Sequence, residues 1–211
     1  VVIFAIVVIL ANVFDQNVTA LAAGLGVGGV AVALASKESL ENLLGSFTIF
    51  LDKPFQVGDI ITIGNITGKV EKVGFRSTRV RTFDKSVVTV PNKNLVIAEL
   101  DNLGVRPVRR VKINIGLTYS TTVNQIKEIV NDIQKLIDDH EQTNQDGKVR
   151  FLNFGASSLD VMVLYFVNSP NWDVLVDTQQ EINFKIIEIV KKHGSDFAYP
   201  TTSVFLENQK N

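Results

Sequence analysis

The sequence has no cysteine, one tryptophan, one methionine and two histidines among its 211 residues. Without cysteine there are no disulfides, no thiolate metal sites and no cysteine nucleophile. His140 and His193 each close a predicted helix, where the dipole favours a cation, and neither has a second histidine at ligand spacing, so no metal site is expected. Asp138 and Asp139 followed by Glu141 read as a solvated helix end rather than a cation site. The net charge of −1 offers no general attraction for nucleic acid. The only methionine is Met162 and the chain starts inside an apolar run, so the expectation is a part of a longer protein, with upstream spans or a targeting signal lying outside it.

Charge is missing altogether from residues 16–36. Twenty-one helical residues reach about 30 Å, the thickness of a bilayer's hydrocarbon core, which predicts a membrane span. Gly24, Gly26, Gly28 and Gly29 each cost a helix about 1 kcal/mol relative to alanine, and packing has to offset that. Small residues recur as Ala22-x3-Gly26, Gly24-x3-Gly28 and Gly29-x3-Ala33, which lets neighbouring backbones approach on two faces. Val30 and Leu34 form a bulky apolar line between those faces. Two readings stand: the line is a pore constriction in a symmetric ring, or the helix is an ordinary glycine-rich span that pairs once within its own subunit. Residues 1–14, apolar except for Asn12, are too short to span alone and read as the end of a preceding transmembrane helix, turned at Asp15, Gln16 and Asn17. Gly24-x-Gly26-x-x-Gly29 matches a dinucleotide fingerprint only on paper, since no strand precedes it.

Beyond Ser36 charge returns with Lys37, Glu38, Ser39 and Glu41, while Leu40, Leu43, Leu44, Phe47, Phe50 and Leu51 keep helical spacing. This is an amphipathic extension on the membrane surface, or a continuation of the span that packs on a soluble domain. Gly45-Ser46 is a flexible point within it and Pro54 ends it. From 55 to 91 the period falls to two, with strands at 60–63, 66–73, 77–82 and 87–90 and turns at Gly64-Asn65 and Asp84-Lys85. Short strands so closely spaced make a small open barrel. Arg76, Arg79, Arg81 and Lys85 make it basic, but no aromatic residues are interleaved to stack bases, which argues against nucleic acid. Gly104-Val105-Arg106-Pro107 links to a third region with strand 110–117, helix 123–140, strands 149–154 and 159–167, helix 174–193 and strand 203–206. That is the βαββαβ order of a ferredoxin-like domain. Thr122 with Gln125 forms a capping box for the first helix, and Gly194 stops the second.

The glycine and alanine helix, followed in order by Ser39-Leu40-Glu41-Asn42-Leu43, Lys53-Pro54-Phe55, Gly58-Asp59, Gly68-Lys69-Val70, Arg81-Thr82 and Pro91-Asn92, resembles the small-conductance mechanosensitive channel family over essentially the whole chain. The resemblance implies a membrane α-helical region followed by an all-β Sm-like barrel and an α+β ferredoxin-like cytoplasmic domain. On this plan residues 1–14 end a preceding span, 16–53 are the pore-lining helix with its extension, 54–103 the Sm-like domain and 104–211 the ferredoxin-like domain. The family's final strands form a small barrel closing the vestibule floor; residues 203–208 supply that strand or an edge strand of their own subunit. The resemblance further implies a homoheptamer in the inner (plasma) membrane, multi-pass, passing ions and small osmolytes under tension on hypoosmotic shock, in contact with membrane lipids. It calls for no cofactor, no metal and no catalytic residue.

Matched through Ser39 to Leu43, the family's two pore-closing leucine positions fall on Val30 and Leu34, valine being a departure. The family's glycine at the bend is Glu38 here, and Gly45 lies beside a second family glycine position occupied by Ser46, so Glu38 and Gly45 are the hinge candidates. Helical phase carries the Leu34 face on to Lys37 and Glu41, which places charge at the pore mouth, or lets Lys37 snorkel to the headgroups. The alternative of a different class is a membrane-anchored oligomeric scaffold or binding module without conductance.

Overall fold

The computed structural model describes residues 18–202 together with Ala5, Ile6 and Ile9. The expected end of a preceding span at 1–14, the turn at 15–17 and the strand at 203–206 lie outside the described residues, the three isolated positions apart. The chain divides into two compact units, Val1–Gly104 and Val105–Asn211.

The first unit opens with α1, Val18–Asp52, one unbroken helix of 35 residues. Pro54 fixes where it stops. Lys53, pushed out of the helical region by the proline that follows, takes a left-handed φ of 47° while its N–H still reaches the Ile49 carbonyl at 3.0 Å. Four strands follow, β1 Ile60–Ile63, β2 Ile66–Val73, β3 Ser77–Thr82 and β4 Val87–Pro91, then a short helix α2, Asn92–Ile97, and β5, Leu100–Asn102. They form one antiparallel sheet ordered β4-β3-β2-β1-β5. Alternation puts Ile61, Ile63, Val70, Val80 and Val90 on one face, where they close over Ile49 of α1, Phe55 and Leu95 of α2. The turns need left-handed residues: Gly64 takes φ 53° and Lys85 φ 69°. The Arg81 guanidinium steadies the second by donating to the Lys85 carbonyl at 2.7 Å. Gly68 is where β2 comes closest to β3, since a Cβ there would lie 2.3 Å from the Arg81 carbonyl oxygen.

The second unit contains β6 Arg109–Leu117, α3 Val123–Asp139, β7 Lys148–Phe154, β8 Leu159–Val167 and α4 Trp172–Lys192. Its sheet is antiparallel in the order β6-β8-β7. Every second residue of β8 is buried, and Val161, Val163, Tyr165 and Val167 pack with Ile129, Ile133 and Ile137 of α3 and Ile182, Ile186 and Val190 of α4. Both helices therefore lie on one side of the sheet, and the other side is open among the described residues. The capping box at Thr122 and Gln125 is present. Helix α4 starts earlier than the hydrophobic period suggests, because Asn171 caps it by accepting from the Asp173 N–H at 3.0 Å. Past Gly194, at φ 66°, the chain turns to the free edge of β6: the Ala198 N–H donates to the Gly116 carbonyl at 2.8 Å and the Thr118 N–H to the Asp196 carbonyl at 3.1 Å.

Among the described residues no helix is long and apolar enough to cross a membrane. The uncharged run enters at residue 16, outside the described part, and Lys37 and Glu38 break the apolar stretch at its other end.

Candidate functional site

Residues 22–40 of α1 are exposed on every side. A Cβ built on Gly24, Gly26, Gly28 or Gly29 would meet nothing within 4 Å. At about 100° per residue, Ala22, Gly26, Gly29 and Ala33 line up as one ridge of small residues, and Gly24 and Gly28 as a second, about 210° away going round the helix past Val30 and Leu34. Val30 and Leu34, 60% and 68% exposed, form the stripe between them. Lys37 and Glu41 extend that stripe toward the barrel and pair at 3.9 Å.

Below Leu40 the helix is seated on the β domain by polar groups. Asn42, 2% exposed, accepts the Lys93 backbone N–H at 3.1 Å and donates from Nδ2 to the Glu38 carbonyl at 2.9 Å. Lys93 sits in the first turn of α2, so Asn42 satisfies a donor that a helix start leaves open. The Lys93 ammonium also pairs with the Glu41 carboxylate. This hydrogen bond and charge hold Glu41 below the usual carboxylate range and raise the Lys93 ammonium. Gly45 follows one turn on, where a Cβ would come within 3.0 Å of the Asn92 carbonyl carbon and the Lys93 nitrogen. Asn92 is itself fully buried. It donates from Nδ2 to the Gly74 carbonyl at 2.9 Å and accepts the Thr78 hydroxyl at 2.8 Å. The Ser46 hydroxyl reaches the same Gly74 carbonyl at 3.4 Å.

Two features of this seat lie beyond what the sequence offered. Helix α1 runs unbroken through Glu38 and Gly45, and Gly45 is here a contact residue, glycine because the α2 backbone leaves no room for a side chain. The extension docks through its polar and small face and leaves its apolar face outward. Asn42, Gly45 and Ile49 are buried, whereas Leu40, Leu44, Phe47, Phe50 and Leu51 point outward. Sequence periodicity missed Asn42, Ser46, Thr78 and Asn92 as a group because they come from three separate elements, α1, β3 and α2. The available signal was an asparagine in the body of a helix, where it is a poor helix former and is better explained by a tertiary partner.

The histidines act as ties between α3 and α4. His193 places Nε2 2.9 Å from Asp132 and Nδ1 3.1 Å from Glu128, and His140 faces Glu181 at 3.4 Å. Hydrogen bonds from His193 and Lys192 keep Asp132 below the usual carboxylate range. Among the described residues no group of three His, Cys, Asp or Glu side chains is placed to hold a metal ion.

Comparison with known proteins accounts for both units. The family profile described as "Mechanosensitive ion channel, beta-domain" matches residues 38–104, and that described as "Mechanosensitive ion channel MscS, C-terminal" matches residues 111–197. An uncharacterized MscS family protein of Aquifex aeolicus is 40% identical over 209 residues, covering 97% of this chain and 57% of that protein. The small-conductance mechanosensitive channel MscMJ of Methanocaldococcus jannaschii is 42% identical over 191 residues, covering 90% of this chain and 55% of that protein. The chain thus spans little more than half the length of these relatives. The fold is similar to that of Helicobacter pylori MscS in its closed state, with a TM-score of 0.78 at 24% identity, covering 95% of this chain and 78% of that one.

Proposed function

We propose a tension-gated pore for this chain, which belongs to the MscS family of mechanosensitive ion channels. The family is one of channels and not of enzymes. One observation carries the reading: residues 22–40, apolar and small as far as Ser36, are exposed all round in the single chain. An apolar surface of that kind needs lipid or further copies of the chain to cover it.

In this reading the uncharged run 16–36 crosses the inner (plasma) membrane, with the β domain and the second unit in the cytoplasm. Copies of the chain, seven by family resemblance, set the Ala22/Gly26/Gly29/Ala33 ridge of one helix against the Gly24/Gly28 ridge of the next. We place the Val30 and Leu34 stripe toward the axis, where two apolar rings keep the resting pore dry. Lys37 and Glu41 line the mouth beneath. Because Gly45 is fixed against α2, any bend on opening belongs above the seat, which favours Glu38 of the two hinge candidates. The permeants are ions and small osmolytes released on hypoosmotic shock, and the tension is delivered by membrane lipids.

Patch-clamp recording of the purified protein in liposomes under suction tests this. Tension-dependent conductance is expected, and Lys37→Glu moves its reversal potential toward cations in a salt gradient. A protein that inserts and assembles yet never conducts is a membrane-anchored scaffold, and the pore reading fails.

A further inference from the structure

The outer face of the first unit's sheet, turned away from Ile49, Phe55 and Leu95, carries a row of cations that the pore reading does not use. Lys69 and Glu71 of β2 and Arg79 and Arg81 of β3 alternate with the buried Val70 and Val80 and so face outward. Register sets Lys69 opposite Arg81 and Lys72 opposite Arg79. Like charges directly opposite each other destabilise a sheet. The second pair exists only because of a bulge. The register shifts between Val70 and Lys72, and in an unshifted ladder Glu71 would stand opposite Arg79 as an ion pair. Glu71 reaches across to Arg81 instead, while the side chains of Lys69 and Lys72 have no partner among the described residues. Lys85 stands exposed in the turn after β3. The acids on this side keep to the rim, Asp84 in that turn and Asp101 on β5 opposite Thr62.

We propose that this face binds a linear inorganic polyphosphate chain, laid along β2 and β3 over the two cation pairs. The cations stand about 5 Å apart across the strands and about 7 Å apart along them. A phosphate set between the members of a pair takes charge-assisted hydrogen bonds from both and replaces their repulsion. The density of charge selects this partner. An extended acidic peptide presents one side chain per about 7 Å on a given face, against two cations here, whereas a phosphate chain carries a charge on every phosphorus. A nucleic acid brings bases to hold, and no aromatic residue stands among these cations; Phe75 and Phe83 lie in the turns at the two ends of β3. A flat bilayer would meet only one end of the row, because β3 starts beside Gly74 at the seat of α1 and leads away from it to Lys85. The proposal needs the first unit alone, so it stands or falls separately from the pore reading.

Isothermal titration of the full chain in detergent with sodium polyphosphate, repeated over a series of salt concentrations, tests this. Binding is expected, and it weakens as salt rises. Lys72→Gln with Arg79→Gln should lower the affinity by about tenfold and reduce the slope of log affinity on log salt by about 2. Glu71→Gln, which frees Arg81, should raise the affinity. Without polyphosphate, Lys72→Gln should slow amide exchange in β2 and β3 by up to about fivefold, because the repulsion is gone. Added polyphosphate should slow exchange there in the wild type and not in the double variant. No binding by the wild type, wild-type affinity in the double variant, or exchange in Lys72→Gln as fast as in the wild type would each overturn the proposal. So would displacement of bound polyphosphate by poly-glutamate or poly-uridylate at equal charge concentration, which would assign the face to an acidic protein or to RNA.

Discussion

Replacing Asn92 with alanine should loosen the seat of α1 without touching the second unit. Both Asn92 and Thr78 are fully buried, and Asn92 is the shared partner of the Thr78 hydroxyl and the Gly74 carbonyl. Truncation to Ala leaves both of those groups short of a partner away from water. Each orphaned group costs about 1–3 kcal/mol, so the change destabilises the first unit by about 2–6 kcal/mol. Gly74 keeps its long contact with Ser46, which moves the expectation toward the lower half. Amide hydrogen exchange reads this directly, because a free energy of that size raises the opening population about 30-fold to 10⁴-fold. The faster exchange should appear in β3, β4 and α2 of the intact chain, while β8 and the fluorescence of Trp172, the only tryptophan, stay as they were. The double variant Thr78→Val with Asn92→Leu should lose much less, since donor and acceptor leave together. Exchange in β3 within threefold of wild type for Asn92→Ala would show that these hydrogen bonds do not hold the joint, and the account of the seat given above would be wrong.

Leu34→Ser should produce channels that open at lower tension or leak at rest, because each buried leucine contributes about 1.5–3 kcal/mol to a dry constriction; wild-type thresholds in patch-clamp recording would place the constriction elsewhere. Asp132 is depressed first by its hydrogen bond to His193 and then by that to Lys192. Its contribution to the second unit is therefore full above the ordinary aspartate value of 3.8 and is lost as pH falls through that value toward the lower folded one. Urea midpoints followed by Trp172 fluorescence should drop over that window, and less steeply in Asp132→Asn; equal slopes would remove the tie. The Tyr165 hydroxyl is buried with no hydrogen-bond partner among the described residues, and burial pushes it up to about 12. Tyr165→Phe should thus raise the midpoint, by about 1 kcal/mol, whereas a lowered midpoint would imply a partner that the phenol serves.

The sheet strands could be read from the sequence because their burial alternates. Ile61 and Ile63, Val70 and Val80 are inward where the period of two puts them, and Thr122 with Gln125 announces α3 through local hydrogen bonds alone. What local pattern could not give was β5 and α2. Leu100–Asn102 is three residues held by pairing with β1 and by the Asn102 amide donating to Pro54 and Asp59, and Asn92–Ile97 is a helix of six residues with no side-chain cap, so both exist through tertiary contact. The docking face of α1 escaped for a related reason. Leu40, Leu44, Phe47 and Phe50 carry the stronger apolar signal, but the barrel top presents backbone groups around Asn92 and Lys93, which call for an amide and a glycine. Of the candidate pore residues, the helical phase that groups Val30 with Leu34 and separates the small ridges needs only a straight helix, whereas the seat that fixes the helix had to be seen.

In the pore proposed above, α1, as long as it stays the unbent rod held at Asn42 and Gly45, would act as a lever whose fulcrum is the β domain. At a rise of about 1.5 Å per residue, Leu34 lies about 12 Å and Ala22 about 30 Å along the shaft from Asn42. Tilting the rod by about 10° then carries Leu34 sideways by about 2 Å and Ala22 by about 5 Å. In a ring of such levers a displacement of about 2 Å at every shaft widens the bore by about 4 Å, more than the width of a water molecule. The outer end of each shaft would move farther still, so on that proposal a modest pull applied near Ala22 would be geared down into a small, stiff movement at Leu34.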